Sequence, residues 1–335
     1  MLSDLITVSR MRDFNACRRR HHIKFELGYR SALVAPALQF GTLIHCGLEA
    51  WWKEKIPTER LPAALAAVVL KSQEGEEVDA VTMAKVEVLL TGYDARWLRS
   101  SLEFEVVAAE AEFRAALLNP ATGRPCRDLE IAGKLDVIVR KVSDGSVWFI
   151  EHKTSSEDLE AGGVYWQRLR MDPQVSVYYE GAKALGHDVA GCIYDVLAKF
   201  RERLKLATPM ESRKHKKDGT LYANQRDTDE TIEEFKARLA TSMAENPDAY
   251  FGRAEVIRTD AELIESAKDT HATALMIRDC ARLDRSPRNP DACFLPGRAC
   301  PFFDACSGVA ALDDETRFVK VERLHPELDM SNDNG

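Results

Sequence analysis

The sequence has no run of 18 or more apolar residues, so nothing in it reads as a membrane-spanning helix. Its first residues, MLSDLITVSRMRDF, lack the charged start and apolar block of a secretory signal, which makes a cytosolic (cytoplasmic) location the default expectation. In that compartment the eight cysteines are expected as buried thiols, metal ligands or catalytic groups rather than disulfides. No internal repeat is visible, which argues against repeat architectures. No GxxxxGK[ST] phosphate loop occurs, so a helicase motor is not expected in this chain. Net positive charge is missing too. Lys and Arg number 46 against 54 Asp and Glu, a net charge of −8, and the bulk field does not advertise nucleic-acid binding.

What is present is enough for a buried core: 335 residues, with apolar and charged fractions ordinary for a globular protein. The charge is unevenly spread. Arg10 to Lys24 carries six Arg and Lys against Asp13 alone, and Lys199 to Lys217 carries eight against Glu202 and Glu211. Clustered basic segments in an acidic protein suit a local phosphate-binding groove, although any single run is more often a solvated face. Arg18, Arg19 and Arg20 in the first run and Lys214, Lys216 and Lys217 in the second are the candidate DNA contacts. Tyr222 lies beside the second run, a mixture that suits strand tracking by charge and stacking.

The periodicity of apolar residues predicts helices over 38–55, 61–70 and 76–100. Val- and Ile-rich, partly alternating segments then predict strands over 103–117, 129–142 and 146–154, the last two joined at an SDG turn. A helix over 172–186, with Pro near its start and Gly at its end, precedes a strand over 189–200. A polar, basic insertion over 213–229 reads as a mobile loop, followed by a helix (230–245), a short strand (250–258) and a long helix (260–283). The expected class is α/β with a mixed central sheet, the two ends of the chain lying outside it.

Asp136 in GKLDVIV and Glu151 and Lys153 in FIEHKTS carry the chemistry. Strand side chains alternate, so Glu151 and Lys153 share a face, and the hairpin brings Asp136 beside them. Two carboxylates can hold a hard cation such as Mg²⁺ or Mn²⁺, with the backbone carbonyl of His152 as a further oxygen ligand. Such an ion polarises a phosphate and activates a bound water, and Lys153 can position that water or stabilise the transition state. An E-x-K triplet alone is common and can be an ordinary cross-strand ion pair. The G-x-x-D at hairpin distance adds to it.

The stretch GKLDVIV…FIEHKTS resembles the D-(x)n-[DE]-x-K core of the PD-(D/E)XK nuclease superfamily, and three further motifs resemble its RecB-like branch. FGTLIHCGLE is similar to the upstream G-x-x-x-H-x-x-x-E helix, which would make His45 another metal ligand, with Glu49 either behind it or solvated. VVAAEAEF is similar to the strand before the core, with Glu110 at the acidic position and Glu112 as its rival. QVSVYYEG is similar to the downstream Q-x-x-x-Y helix, implying that Gln174 and Tyr178 face the site. The resemblance spans roughly residues 40 to 180. It implies a restriction-endonuclease-like sheet flanked by helices and metal-dependent phosphodiester hydrolysis.

Cys293, Cys300 and Cys306 lie in a Pro- and Gly-rich segment that needs a staple. Thiolates select zinc, Cu(I) or iron–sulfur clusters, and paired C-x₂₋₄-C zinc knuckles are missing here. The fourth ligand could be Cys280 or Cys17, whereas Cys46, Cys126 and Cys192 read as buried or incidental thiols. RecB-like iron–sulfur nucleases, the CRISPR-associated and AddB-type members among them, have one cysteine before the core and three after it. SRMRDFNACRRRHHIKF is similar to their S-x-[IL]-x-x-[FY]-x-x-C-P-x-x-[FY] start, with Arg18 in place of the Pro and the downstream C-x-x-C widened. The resemblance therefore implies a [4Fe–4S] cluster on Cys17, Cys293, Cys300 and Cys306, with Zn²⁺ as the alternative.

These readings divide the chain into an N-terminal part of an iron–sulfur subdomain (1–37), a nuclease core (38–200), a basic insertion and return (201–259), a C-terminal helix with the rest of that subdomain (260–310) and an acidic tail (311–335). The expected activity is a deoxyribonuclease, an exonuclease on single-stranded DNA ends in recombination, repair or phage DNA processing, with any helicase or recombinase a separate partner and no membrane involved. The alternatives are a non-cleaving iron–sulfur DNA-binding protein in a recombination complex and a zinc-stapled structural protein.

Overall fold

The computed structural model describes residues 4–33, 36–74, 77–295, 298–326 and 328. In chain order the elements are β1 (Asp4–Ile6), α1 (Val8–Ala16), α2 (Arg18–His21), β2 (Tyr29–Ser31), α3 (Pro36–Lys53), α4 (Arg60–Ser72), α5 (Ala80–Ser101), β3 (Phe104–Leu118), β4 (Pro125–Lys141), β5 (Val147–Ser155), α6 (Val164–Leu169), α7 (Pro173–Ala184), β6 (Val189–Ala198), α8 (Ile232–Glu245), β7 (Phe251–Val256), α9 (Asp260–Arg282), β8 (Phe294–Leu295), β9 (Arg298–Ala299), α10 (Phe303–Ser307) and β10 (Phe318–Lys320). None of the described helices is long and apolar enough to cross a membrane.

Alternation along the strands gives the sheet two apolar faces. Ile138 and Phe149 point into one layer, where Met11 and Phe14 of α1, Val175 of α7 and Ile277 of α9 cover them. Val137, Val139 and Ile150 point into the other, against Leu43 and Trp52 of α3, Leu89 and Tyr93 of α5 and Phe235 of α8. The strands run in the order β1-β4-β5-β6-β7, with β3 on the other side of β4. β3, β4 and β5 are antiparallel neighbours, β5 and β6 pair in parallel, and β7 returns antiparallel. The sheet is thus mixed and flanked by helices on both faces, as the α/β expectation has it.

One feature of the pairing positions the chemistry. The β4–β5 ladder runs from Arg140↔Val147 to Val137↔Ile150 and stops. Beyond that point β5 keeps β6 as its partner through Ser155, while β4 takes β1 at Leu129–Ile131. The two strands therefore fork, and Asp136 and Glu151 are the first residues past the fork.

The ends of the chain depart from expectation. The N-terminal segment does not lie outside the core: β1 is a strand of the central sheet, and Ile6, Val8, Met11 and Phe14 are buried in it. Three residues are too few for an alternation to be read. Within the segment expected as an acidic tail, β10 pairs antiparallel with β2 and Phe318 packs on Ile23 and Phe302. The remainder, 327 and 329–335, lies outside the described residues. The basic insertion has little regular structure, yet it is laced internally: Glu230 accepts from the Lys205 N–H (2.8 Å) and Thr208 Oγ1 from the Arg226 N–H (3.1 Å).

Candidate active site and cysteine-lined cavity

Asp136 sits where the ladder has opened, and its carboxylate replaces a missing ladder partner: Oδ2 accepts the His152 N–H at 2.8 Å. Its Oδ1 lies 3.6 Å from His45 Nδ1, brought in by α3. Glu151 and Lys153 share a face of β5, and the Lys153 ammonium donates to Glu151 Oε1. Gln174, in the first turn of α7, closes the set. Its Nε2 donates to Glu151 Oε1 at 2.6 Å, and its Oε1 accepts from Lys153 Nζ at 3.0 Å. Asp172 caps α7 and Pro173 opens it, which fixes where Gln174 begins.

The charges are mutually set. Burial works against an ionised Asp136, yet His45 above all, with His152 and Lys153 behind it, holds its carboxyl well below the usual range. Glu151 goes the other way, pushed up to about 7 by burial and by the Asp136 charge against the pull of Lys153. Burial disfavours the cations of His45 and Lys153, but Asp136 outweighs it at the first and Glu151 with Asp136 at the second, so both are raised. Glu151 Oε2 is buried and has no hydrogen-bond partner among the described residues. A buried carboxylate oxygen of this kind costs stability unless something fills the place.

Glu110 lies across from Asp136, since Ala109 pairs with Val137 and Ala111 with Leu135. It is in the left-handed backbone region (φ 53°), unusual for Glu, and its carboxylate pairs with Lys134. Burial raises its pKa while Lys134 opposes, with Asp136 adding to the rise. Glu110 is thus coupled to Asp136. Glu49 pairs with Lys53 on α3, and its charge is felt at Glu110. Tyr178 is buried one turn beyond Gln174, packed edge-on against Phe113 and Phe149. It supports the site from the core side rather than opening to solvent.

His152 itself points to the opposite face. Its Nδ1 is 3.3 Å from Asp195 Oδ2, and Asp195, fully buried, also accepts from Tyr93 Oη (2.6 Å) and Arg253 Nη2 (2.9 Å). Trp52 Nε1 donates to Tyr93 Oη at 3.1 Å. This polar network pins the back of the strand whose front carries Glu151 and Lys153. Neither it nor Arg12 was singled out in the sequence. Arg12 reaches the site from α1, its Nη2 donating to Asp172 Oδ1 (2.5 Å) and Gln174 Oε1 (3.4 Å).

Cys17, Cys293, Cys300 and Cys306 line one cavity of about 200 Å³, together with Arg19 and Arg20. Asn289 Nδ2 donates to the Ala16 carbonyl (2.8 Å) and the Arg19 N–H to the Pro287 carbonyl (3.1 Å), so the two ends of the chain meet there. Cys280 packs against the core instead. All eight cysteines are free thiols. Among the described residues, no group of three or more His, Cys, Asp or Glu side chains stands close enough to hold a metal ion as it is. Of the basic residues expected at DNA, Arg20 is committed elsewhere: it pairs with Asp13 at 2.7 Å and is largely buried. Arg18 lies over the Phe14 ring, exposed, as are Lys214, Lys216 and Lys217.

No curated protein matches the sequence. Among solved structures, a protein named as a candidate exonuclease from Eubacterium rectale is similar at 12% identity and TM-score 0.47, covering 92% of this chain and 89% of that one. A phage-related exonuclease from Haemophilus somnus 129PT is similar at 14% identity and TM-score 0.32, covering 72% and 94%. Neither likeness bears on the reaction. The model of the PD-(D/E)XK nuclease superfamily, however, matches residues 5–307, a span that holds the forked sheet and its carboxylates. The chain belongs to the PD-(D/E)XK nuclease superfamily.

Proposed function

We propose that the chain is a divalent-metal-dependent deoxyribonuclease that degrades single-stranded DNA from its ends, in recombination, repair or phage DNA processing. The observation that carries this reading is the buried, unpartnered Glu151 Oε2 beside an Asp136 held ionised and a His45 at the mouth. Two carboxylates and an imidazole are a donor set for Mg²⁺ or Mn²⁺, the ions that the superfamily generally uses. His45, Asp136, Glu151 and the His152 carbonyl would hold the ion, which when bound supplies a water acidic enough to attack phosphorus. Lys153 then has two tasks: it neutralises Glu151 before the ion arrives, and it offers its ammonium to the phosphate oxygens as charge builds there. Gln174 holds that ammonium by Oε1, and Tyr178, hydrogen-bonded to Gln174, keeps it in register. Water adds to phosphorus, one phosphorus–sugar oxygen bond breaks, and the leaving oxygen takes up a proton.

The four thiols fit an iron–sulfur cluster in kind and number. Zinc sites usually carry paired C-x₂₋₄-C knuckles, which this sequence lacks. The reading is therefore a [4Fe–4S] cluster, with Zn²⁺ as the alternative, tying chain start to chain end in a structural role beside exposed Arg18. The test is digestion of end-labelled linear and circular single-stranded DNA by anaerobically purified protein with Mg²⁺ or Mn²⁺. Loss of the linear substrate alone is the expected result. Both substrates left intact would leave the non-cleaving DNA-binding alternative in its place.

A further inference from the structure

Two cations converge on one oxygen at the mouth of the site. Gln174 Oε1 accepts from Lys153 Nζ at 3.0 Å and from Arg12 Nη2 at 3.4 Å. Arg12 is not loosely placed. It belongs to α1, capped by Thr7 and clamped by Val8, Met11 and Phe14 buried at every third position, which leaves Arg12 on the outer side against the start of α7. Its side chain is half exposed (49%), and that of Lys153 a quarter exposed (25%). Both contacts of Arg12 among the described residues use Nη2, so Nε and Nη1 have no protein partner there.

Arg12 is not the only donor to Asp172. Asp172 also accepts the Gln174 N–H (2.9 Å) and Tyr194 Oη (3.1 Å). A guanidinium that is anchored at one nitrogen, open at the others and placed beside a second cation is arranged for a bidentate anion. The geometry points to Arg12 as a phosphate-binding residue of this site: its free donors take a non-bridging oxygen pair of the DNA backbone next to Lys153. This inference rests on the nuclease reading for its ligand, and it adds a contact supplied from α1, outside the fork and separate from the Arg18–Arg20 cluster of the first basic run. Arg12 thereby makes the helix that leads into Cys17 part of the substrate groove.

The experiment uses the full chain and a set of single-stranded oligonucleotides, each with one uncharged methylphosphonate at a successive position. Affinity is measured by fluorescence anisotropy with Ca²⁺, cleavage with Mn²⁺, for wild type, Arg12→Ala and Arg12→Lys. Wild type is expected to lose about tenfold in affinity at one phosphate. Arg12→Ala should already be about tenfold weaker on unmodified DNA, lose nothing further at that phosphate and keep the losses elsewhere, the non-additivity of a direct contact. Arg12→Lys should recover part of the affinity. If Arg12 merely braces α1 on α7, Arg12→Ala melts earlier and shows the wild-type position profile, which overturns the inference. Wild type that binds DNA but cleaves none rejects the nuclease reading while the affinity profile still decides Arg12. Wild type that binds no DNA overturns both.

Discussion

His152 separates the two chemical residues of β5 by one position, and that position shows how a single side chain is fixed from behind. Its ring meets Asp195, which is fully buried and held by Arg253 and Tyr93. Burial disfavours an ionised Asp195, but Arg253 and then His152 hold it well below its usual 3.8. Asp195→Asn would leave the Arg253 guanidinium buried without its counter-charge, an expected loss of about 3–5 kcal/mol in urea unfolding. The sign with pH follows from the depressed value. The stabilisation is complete above the unfolded value and fades as pH falls through it toward the folded one. The gap between wild type and Asp195→Asn should therefore be flat down to about pH 5 and shrink below about pH 4. At this scale the sequence was legible where spacing does the work: Asp136, Glu151 and Lys153 follow from strand alternation and one hairpin. Asp195 and Arg12 were not, because their partners are brought in by β7 and α7, and nothing local in D-V-L-A or S-R-M-R marks such a contact.

Elements are placed here by how closely they approach. α7 lies against β3 and β4 with Phe113 in the seam, and two glycines make the room. A Cβ at Gly133 of β4 would come within 2.8 Å of the Phe113 ring, and one at Gly181 of α7 within 2.4 Å. Gly181→Ala is the sharper test, because helix propensity alone favours Ala by about 1 kcal/mol. The clash should reverse that sign, with a net destabilisation of about 1–3 kcal/mol by thermal or urea unfolding. Displacing α7 also draws Gln174 from Lys153, so cleavage should fall more than the folded fraction does. Long elements were readable from periodicity: the strands 104–118, 125–141 and 147–155 and the helices expected around them lie within a few residues of expectation, whereas α1 and α6 were not expected. Three-residue β1 and β10 were not, since their identity comes from the strands they pair with.

The whole molecule is closed by its ends. The carbonyls of Ala16 and Pro287 are bonded across them, and Cys17 faces one cavity with three thiols from the other end of the chain. A crosslink over so long a loop restricts the unfolded chain most in the simple entropy model. The proposed cluster predicts that Cys17→Ser lowers the melting temperature and removes a broad absorbance at about 400 nm, while Cys280→Ser leaves both unchanged. If Cys17→Ser keeps colour and stability, the cavity holds no cluster. The cysteine cluster marks three of these thiols and the resemblance of the N-terminal segment marks Cys17, and in the structure all four line one cavity.

The central claim is that the fork between β4 and β5 is a nuclease centre worked by Lys153. The most direct measurement is Mn²⁺-dependent degradation of labelled single-stranded DNA by wild type and Lys153→Ala, with DNA affinity measured alongside in Ca²⁺. The account expects wild type to cleave and Lys153→Ala to bind comparably but lose cleavage by about a hundredfold or more. Equal cleavage by the two proteins would contradict it.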